Sequence, residues 1–328
     1  MVWNSIQAVI ILFLITALGY ILSLTKVINK NNISFLSNAV FFVAAPCILF
    51  SNIVKQFTHD TLLQSGSSLA VPAIVVAVSF GLGLILAYAF KMPKERRGVF
   101  LCNFAFSNTI FVGIPVVKAL YGDAGLLPNL YCFVPTSLLF WTLGTYMIKR
   151  SGSAFTGALP DGSAKGRPGF LSMDTLKGVV SPPLVGSLLG ITLVLLGVND
   201  KVPDVLMKTI DYLGALTVPL SILFVGALMH QTGLKKGLKP DWSVILVVLS
   251  HAAIMPVLMY VLSTAFGIGG VERGVFVIQG VLPVMTNVVI VSARYNADTG
   301  HAAKAFIWTM LMSFLVIPLS MYLLTLVP

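Results

Sequence analysis

Between Asp60 and Lys91 the chain runs for thirty residues without one Asp, Glu, Lys or Arg, and stretches of this kind recur along its length. A helix on the surface of a soluble protein needs a polar face, whereas one crossing a bilayer needs about 20 apolar residues in a row. Only 10% of the 328 residues are charged, too few to coat a globule of this size. The runs read as ten spans, at 4–24, 33–54, 67–90, 98–118, 125–148, 178–198, 207–229, 242–266, 274–294 and 303–326. No basic segment precedes the first run, so it is expected to be a retained helix and not a cleaved signal. Three cysteines exclude a disulfide-stapled fold; Cys47, Cys102 and Cys132 fall inside spans and read as small apolar residues.

The net charge of +10 first has to be tested as a topology signal. Sixteen of the 21 Lys and Arg residues fall in one set of alternate loops, among them Lys91, Lys94, Arg96, Arg97, Lys149, Arg150, Lys235 and Lys236. The other set holds Lys55, Lys118, Lys201, Lys208 and Arg273. The positive-inside rule makes the first set cytoplasmic and puts both termini outside, in a plasma membrane or bacterial inner membrane. The basic balance is thereby used up, and no nucleic-acid partner is expected; the remaining contacts are with membrane lipids.

A Gly-, Ser- and Pro-rich stretch, 149–177, separates spans five and six and reads as a cytoplasmic linker. The chain then divides into repeats at 1–148 and 178–328. Five spans on each side force the halves into opposite orientations, the plan of inverted-repeat transporters. Short echoes agree. Arg97-Gly98-Val99-Phe100 opens span four and Arg273-Gly274-Val275-Phe276 opens span nine. Phe140-Trp141-Thr142-Leu143 answers Ile307-Trp308-Thr309-Met310, and Ala45-Pro46 answers Val218-Pro219. The expected fold is all-α and integral to the membrane: ten helices as two inverted five-helix repeats, with spans four and nine broken.

Those two spans carry the polar residues. Asn103, Ser107, Asn108, Thr109 and Pro115 lie in the first, and Gln279, Pro283, Thr286 and Asn287 in the second. Proline breaks a membrane helix, and the half-helix beyond the break offers free N–H groups and the positive end of its dipole. Two such breaks meeting at mid-membrane attract an anion without a lysine, while Asn and Thr cap the freed groups or donate to a carboxylate. Against this stands ordinary helix bridging by Asn and Thr, and simple kinking at Pro46 and Pro219. His251, ten residues into span eight, reads either as a proton carrier or as a neutral packing histidine. Arg294, at the cytoplasmic end of span nine, either meets the anion or anchors the interface. Gly186 and Gly190 form a G-x-x-x-G read as close packing within the chain. The four histidines are scattered, no core carboxylate exists, and no phosphate loop or nucleophile turn occurs, so neither metal, cofactor nor enzyme chemistry is expected.

At these positions the chain resembles the auxin efflux carrier family, which includes the PIN-FORMED carriers and bacterial malonate-type transporters. Asn108-Thr109-Ile110-Phe111-Val112-Gly113-Ile114-Pro115, followed by Leu120-Tyr121-Gly122, is similar to the family's N-T-G-x-x-G-x-P and Y-G stretch, with Ile110 where Gly is common. Pro283 through Asp298, with Ala293-Arg294-Tyr295, resembles its second proline region, and Leu18-Gly19-Tyr20 with Ala45-Pro46 resembles its start. The resemblance implies crossed broken helices four and nine, elevator-like alternating access and a homodimer. It assigns carboxylate binding to Asn108, Thr109, Thr286 and Asn287, with Pro46, Pro115 and Pro283 shaping the pocket. Asn103 and Gln279, nearer the span starts, and Arg294, at the cytoplasmic end of span nine, stand beside them as candidates. The expected activity is secondary transport of a small organic anion, a dicarboxylate or an indole acid. A proton- or sodium-coupled exchanger and a non-transporting anion sensor stand as alternatives.

Overall fold

The structure, a computed structural model, describes residues 2–110, 112–156, 181–232 and 239–326. Helices account for nearly all of these residues. The one piece of extended pairing among them is an isolated antiparallel bridge between Ser107 and Val284. In chain order the helices are α1 (Val2–Leu24), α2 (Ile33–Gln56), α3 (Gly66–Ala89), α4 (Lys94–Ala105), α5 (Gly113–Tyr121), α6 (126–156) and α7 (Pro182–Leu195). They continue as α8 (Asp204–Ala215), α9 (Thr217–Thr232), α10 (Trp242–Ala265), α11 (Gly270–Val281), α12 (Thr286–Arg294) and α13 (Thr299–Leu326). Six helical stretches among the described residues are long and apolar enough to cross a membrane. Their outer faces carry large exposed aliphatics such as Ile85 and Leu315. Such a surface is a liability in water and matches lipid.

One expectation needs correction. The linker was expected from residue 149, but α6 continues to Thr156, and only 157–180 lies outside the described residues. The apolar Tyr146, Met147 and Ile148 and the small residues after them keep the helix packed on α4. There Ser151 Oγ accepts from Gly98 N–H and donates to the Lys94 carbonyl. The expected span 207–229 lies within one apolar stretch, Asp204–Gln231, whose halves α8 and α9 meet at a single turn residue, Leu216, three residues before Pro219. A proline is tolerated in the first turn of a helix, where its missing N–H is unpaired in any case, so the break falls just upstream. Pro46 behaves differently. It stays within α2, immediately after a wide π turn at Val40–Ala44 that absorbs the lost backbone bond.

The helices form two packed groups. In one, α1 lies along α9, and α2 lies between α7 and α8. In the other, α3, α4 and α6 pack together and meet α10, α11 and α13. Contacts within the first group are close enough to require glycine: a Cβ on Gly186 would sit 2.4 Å from the Pro46 carbonyl, and one on Gly190 3.1 Å from Ile53. The G-x-x-x-G thus serves packing within the chain.

Polar loop contacts gather at two ends of the bundle. Arg96 reaches both Asp241 at 2.9 Å and Asp298 at 2.8 Å, tying together three loops expected on the same side. At the other end Lys55 pairs with Asp211, and the Asn199 amide donates to the Val54 and Phe57 carbonyls.

Candidate functional site: a crossover of two broken helices

The two broken helix pairs share one plan. Both leading halves, α4 and α11, are 12 residues long, and both trailing halves, α5 and α12, are 9. The Arg-Gly-Val-Phe echo begins at the fourth residue of each leading half. The breaks cross and pair through their backbones: Asn108 N–H donates to the Pro283 carbonyl at 2.9 Å, and Met285 N–H to the Phe106 carbonyl at 3.0 Å. Extended backbone this deep must find partners, and here each break supplies the other's. Asn108 Nδ2 adds a 2.7 Å bond to Thr286 Oγ1.

A cleft opens between this crossover and α2. Asn108, Thr109, Met285 and Asn287 line it on one side, and Ala45, Ile48, Leu49 and Asn52 on the other, with Phe133 closing an end. Its cavity measures about 20 Å³, room for one water molecule. Three buried polar atoms on its wall have no hydrogen-bond partner: Asn52 Nδ2, Thr109 Oγ1 and Asn287 Oδ1. A buried polar group left unpaired costs roughly 1–3 kcal/mol, so three around one cleft mark a place where something else completes the bonding. The first amides of α12, at Thr286 and Asn287, point N-terminally without intrahelical acceptors, as at any helix start. Among the described residues, no charged side chain lines the cleft.

The other expected site residues distribute around this centre. Thr286 supports Asn108 from behind the wall, and Pro283 contributes its carbonyl to the crossing. Gln279 is buried and donates to Asn129 Oδ1, and both its leading helix and Thr109 border a second small cavity. Asn103 lies deeper; its side-chain atoms are buried without partners, and its carbonyl faces His251. Pro46 packs its backbone against Gly186 and is not on the cleft wall. Pro115 belongs to α5, and its side chain lies outside the described residues, as does Phe111 altogether. Arg294 ends α12 with its guanidinium 5.1 Å from the Phe42 ring centre, exposed and away from the cleft. There it complements the negative end of the helix dipole.

Two residues that matter here escaped the sequence reading. Asn52 sits on α2 and reaches the cleft only because α2 packs across the crossover; its signal was an amide two turns after Pro46 in an apolar span. Thr309 on α13 accepts the Val284 N–H at 3.1 Å and so anchors the second break. It had been noticed as part of the Trp-Thr echo between spans five and ten.

Residues 4–321 match the family described as membrane transport protein. The chain is 26% identical over 319 residues to an uncharacterized transporter of Methanocaldococcus jannaschii, covering 95% of this chain and 96% of that one. It is 22% identical over 323 residues to an uncharacterized transporter of Methanothermobacter thermautotrophicus, with 96% and 97% covered.

Proposed function

The chain belongs to the membrane transport protein family, which is the auxin efflux carrier family, and from that membership and the crossover geometry we propose that it is a secondary transporter for a small organic carboxylate. One observation carries the reading: unpartnered Asn52, Thr109 and Asn287 atoms meet the N-terminal end of α12 in a single cleft. Helix N-termini favour negative charge, and amide and hydroxyl donors fit a carboxylate's oxygens. With no lysine or arginine on the wall, the site holds an anion by dipoles and amides. A substrate held this way is bound weakly enough to be released.

The ten spans are read as two inverted five-helix repeats, supported by the equal lengths of the half-helices and the matched Arg-Gly-Val-Phe positions. Alternating access is read as movement of the group containing the crossover against the group containing α1, α2 and α7–α9. The cleft lies on the seam between these groups, and its present width admits no carboxylate, so binding requires them to separate. A homodimer through the group containing α1, α2 and α7–α9, with the linker between the halves cytoplasmic, completes the proposal.

Uptake of labelled mono- and dicarboxylates by the protein in liposomes tests it. Asn108→Ala and Asn287→Ala are each expected to reduce uptake roughly tenfold or more, as for a lost hydrogen bond to a charged group. Unchanged uptake of an identified acid in both variants would sink the crossover site.

A further inference from the structure

His251 is fully buried and lies off the cleft, at the place where both leading half-helices end. Its Nδ1 faces the Leu282 carbonyl oxygen at 2.8 Å, and its Nε2 faces the Asn103 carbonyl oxygen at 2.9 Å. A carbonyl oxygen only accepts, and a neutral imidazole carries a single N–H. A neutral ring would satisfy one carbonyl and set a bare nitrogen lone pair against the other. An imidazolium donates to both. The Ser107 hydroxyl, the other polar group at the ring, is 3.4 Å from Nδ1, too long for a strong O–H donor bond.

The two carbonyls belong to the C-terminal ends of α4 and α11, where each helix dipole leaves partial negative charge. Burial opposes a cation at this point, and two aligned acceptors with two dipole ends favour it. The helices packed around this part of α10 carry few competing groups. Lys94, Glu95, Arg96 and Arg97 are at the far end of α4, Tyr260 is near the end of α10, Glu272 and Arg273 are at the start of α11, and His301, Lys304 and Tyr322 are near the ends of α13. Cys102 on α4 turns its Sγ to the Gly144 carbonyl. None of them bonds to or pairs with the ring.

We propose that His251 is a proton-binding site, held as an imidazolium between the Asn103 and Leu282 carbonyls on the C-terminal side of the crossover. The inference deepens the transporter reading and rests on it for its purpose. The anion is held at the N-terminal end of α12, the proton by the C-terminal ends of α4 and α11, and the same short backbone pairing separates them. A proton bound here offsets the anion's charge as the crossover moves. The exchange is of a bare proton: the ring gives up one N–H proton and becomes neutral, and no other bond changes. Ser107, whose hydroxyl lies 3.4 Å from Nδ1, borders a second small cavity together with Thr109, and Thr109 also lines the anion cleft, giving the proton a polar edge to leave by.

The test is nitrogen NMR of 15N-histidine-labelled protein in lipid nanodiscs, with no anion added, across neutral and mildly acid pH. The chain has four histidines, so the His251 signals are identified as those lost in His251→Asn. If that variant fails to fold, they are those kept when His59, His230 and His301 are replaced instead. Two protonated ring nitrogens at mildly acid pH, whether or not they collapse to the neutral pattern as pH rises, support the proposal. One protonated and one bare nitrogen throughout the range overturns it. Since the readout needs no substrate, a neutral ring would leave the transporter reading intact, and absence of any transported acid would leave the proton site intact.

Discussion

Thr309→Val isolates the link between α13 and the crossover. The side chains are nearly the same shape, and residue 309 is fully buried, so the change removes a hydroxyl and little else. That hydroxyl accepts the Val284 N–H at 3.1 Å while donating to the Ala305 carbonyl at 2.7 Å. Ala305 keeps its place in a helix, but Val284 sits in the break, fully buried, and has no helical acceptor to fall back on. Leaving a buried N–H unpaired costs about 1–3 kcal/mol. If the cost falls on the closed crossover, local opening becomes easier by roughly 5- to 140-fold, at about 1.4 kcal/mol per factor of ten. Hydrogen–deuterium exchange over the segment from Leu282 to Asn287 reads this directly, and Thr309→Ser, which keeps the hydroxyl, is expected to restore protection. A folded Thr309→Val protein with unchanged exchange at Val284 would refute the reasoning, because the amide would then have another partner.

Asn52→Ala removes an unpartnered buried donor, so thermal stability without anion is expected to stay level or rise, while anion-induced stabilisation falls; a loss of stability in the anion-free protein would show that Asn52 is structural. Gly186→Val forces a Cβ to within 2.4 Å of the Pro46 carbonyl, and α7 cannot stay on α2; size-exclusion profiles are expected to show loss of the folded peak. Asp241 is partly buried, which by itself raises a carboxyl. The Ser243 hydroxyl, the Val244 N–H and the nearby His301 and Arg96 charges outweigh this and hold it below its ordinary value of 3.8. A lowered value means the ionised form stabilises the fold: the contribution is full above that ordinary value and is lost as pH falls through the folded value. Melting of Asp241→Asn should therefore lie below that of the parent at neutral pH, by up to about 1 kcal/mol, and the gap should close in strong acid. A constant gap at all pH values would assign the effect to capping and not to charge.

Much of this was legible along the chain. Uncharged runs located the helices because burial in lipid is a property of composition, summed over about 20 neighbouring residues. Pro283 and the Asn-Thr pairs located both breaks, since a missing N–H and a polar side chain in an apolar span are local facts. Where the reading missed, the cause was not local. For Arg294 two readings stood open, meeting the anion or anchoring the interface, and the turn of α12 sets it against Phe42, away from the cleft. Residues 149–156 looked like part of a linker by composition, and packing against α4 makes them helix.

Sequence alone determined a helical membrane protein with two polar, interrupted segments, because hydropathy, proline and charge act through their immediate surroundings. Only the tertiary structure decided what those interruptions do. The crossing of Ser107 with Val284, the reach of Asn52 across the cleft and the two carbonyls at His251 join residues more than 30 to more than 170 positions apart. No local preference encodes such a meeting. It follows from the need of every backbone group released at a break to find a partner where there is no water to supply one.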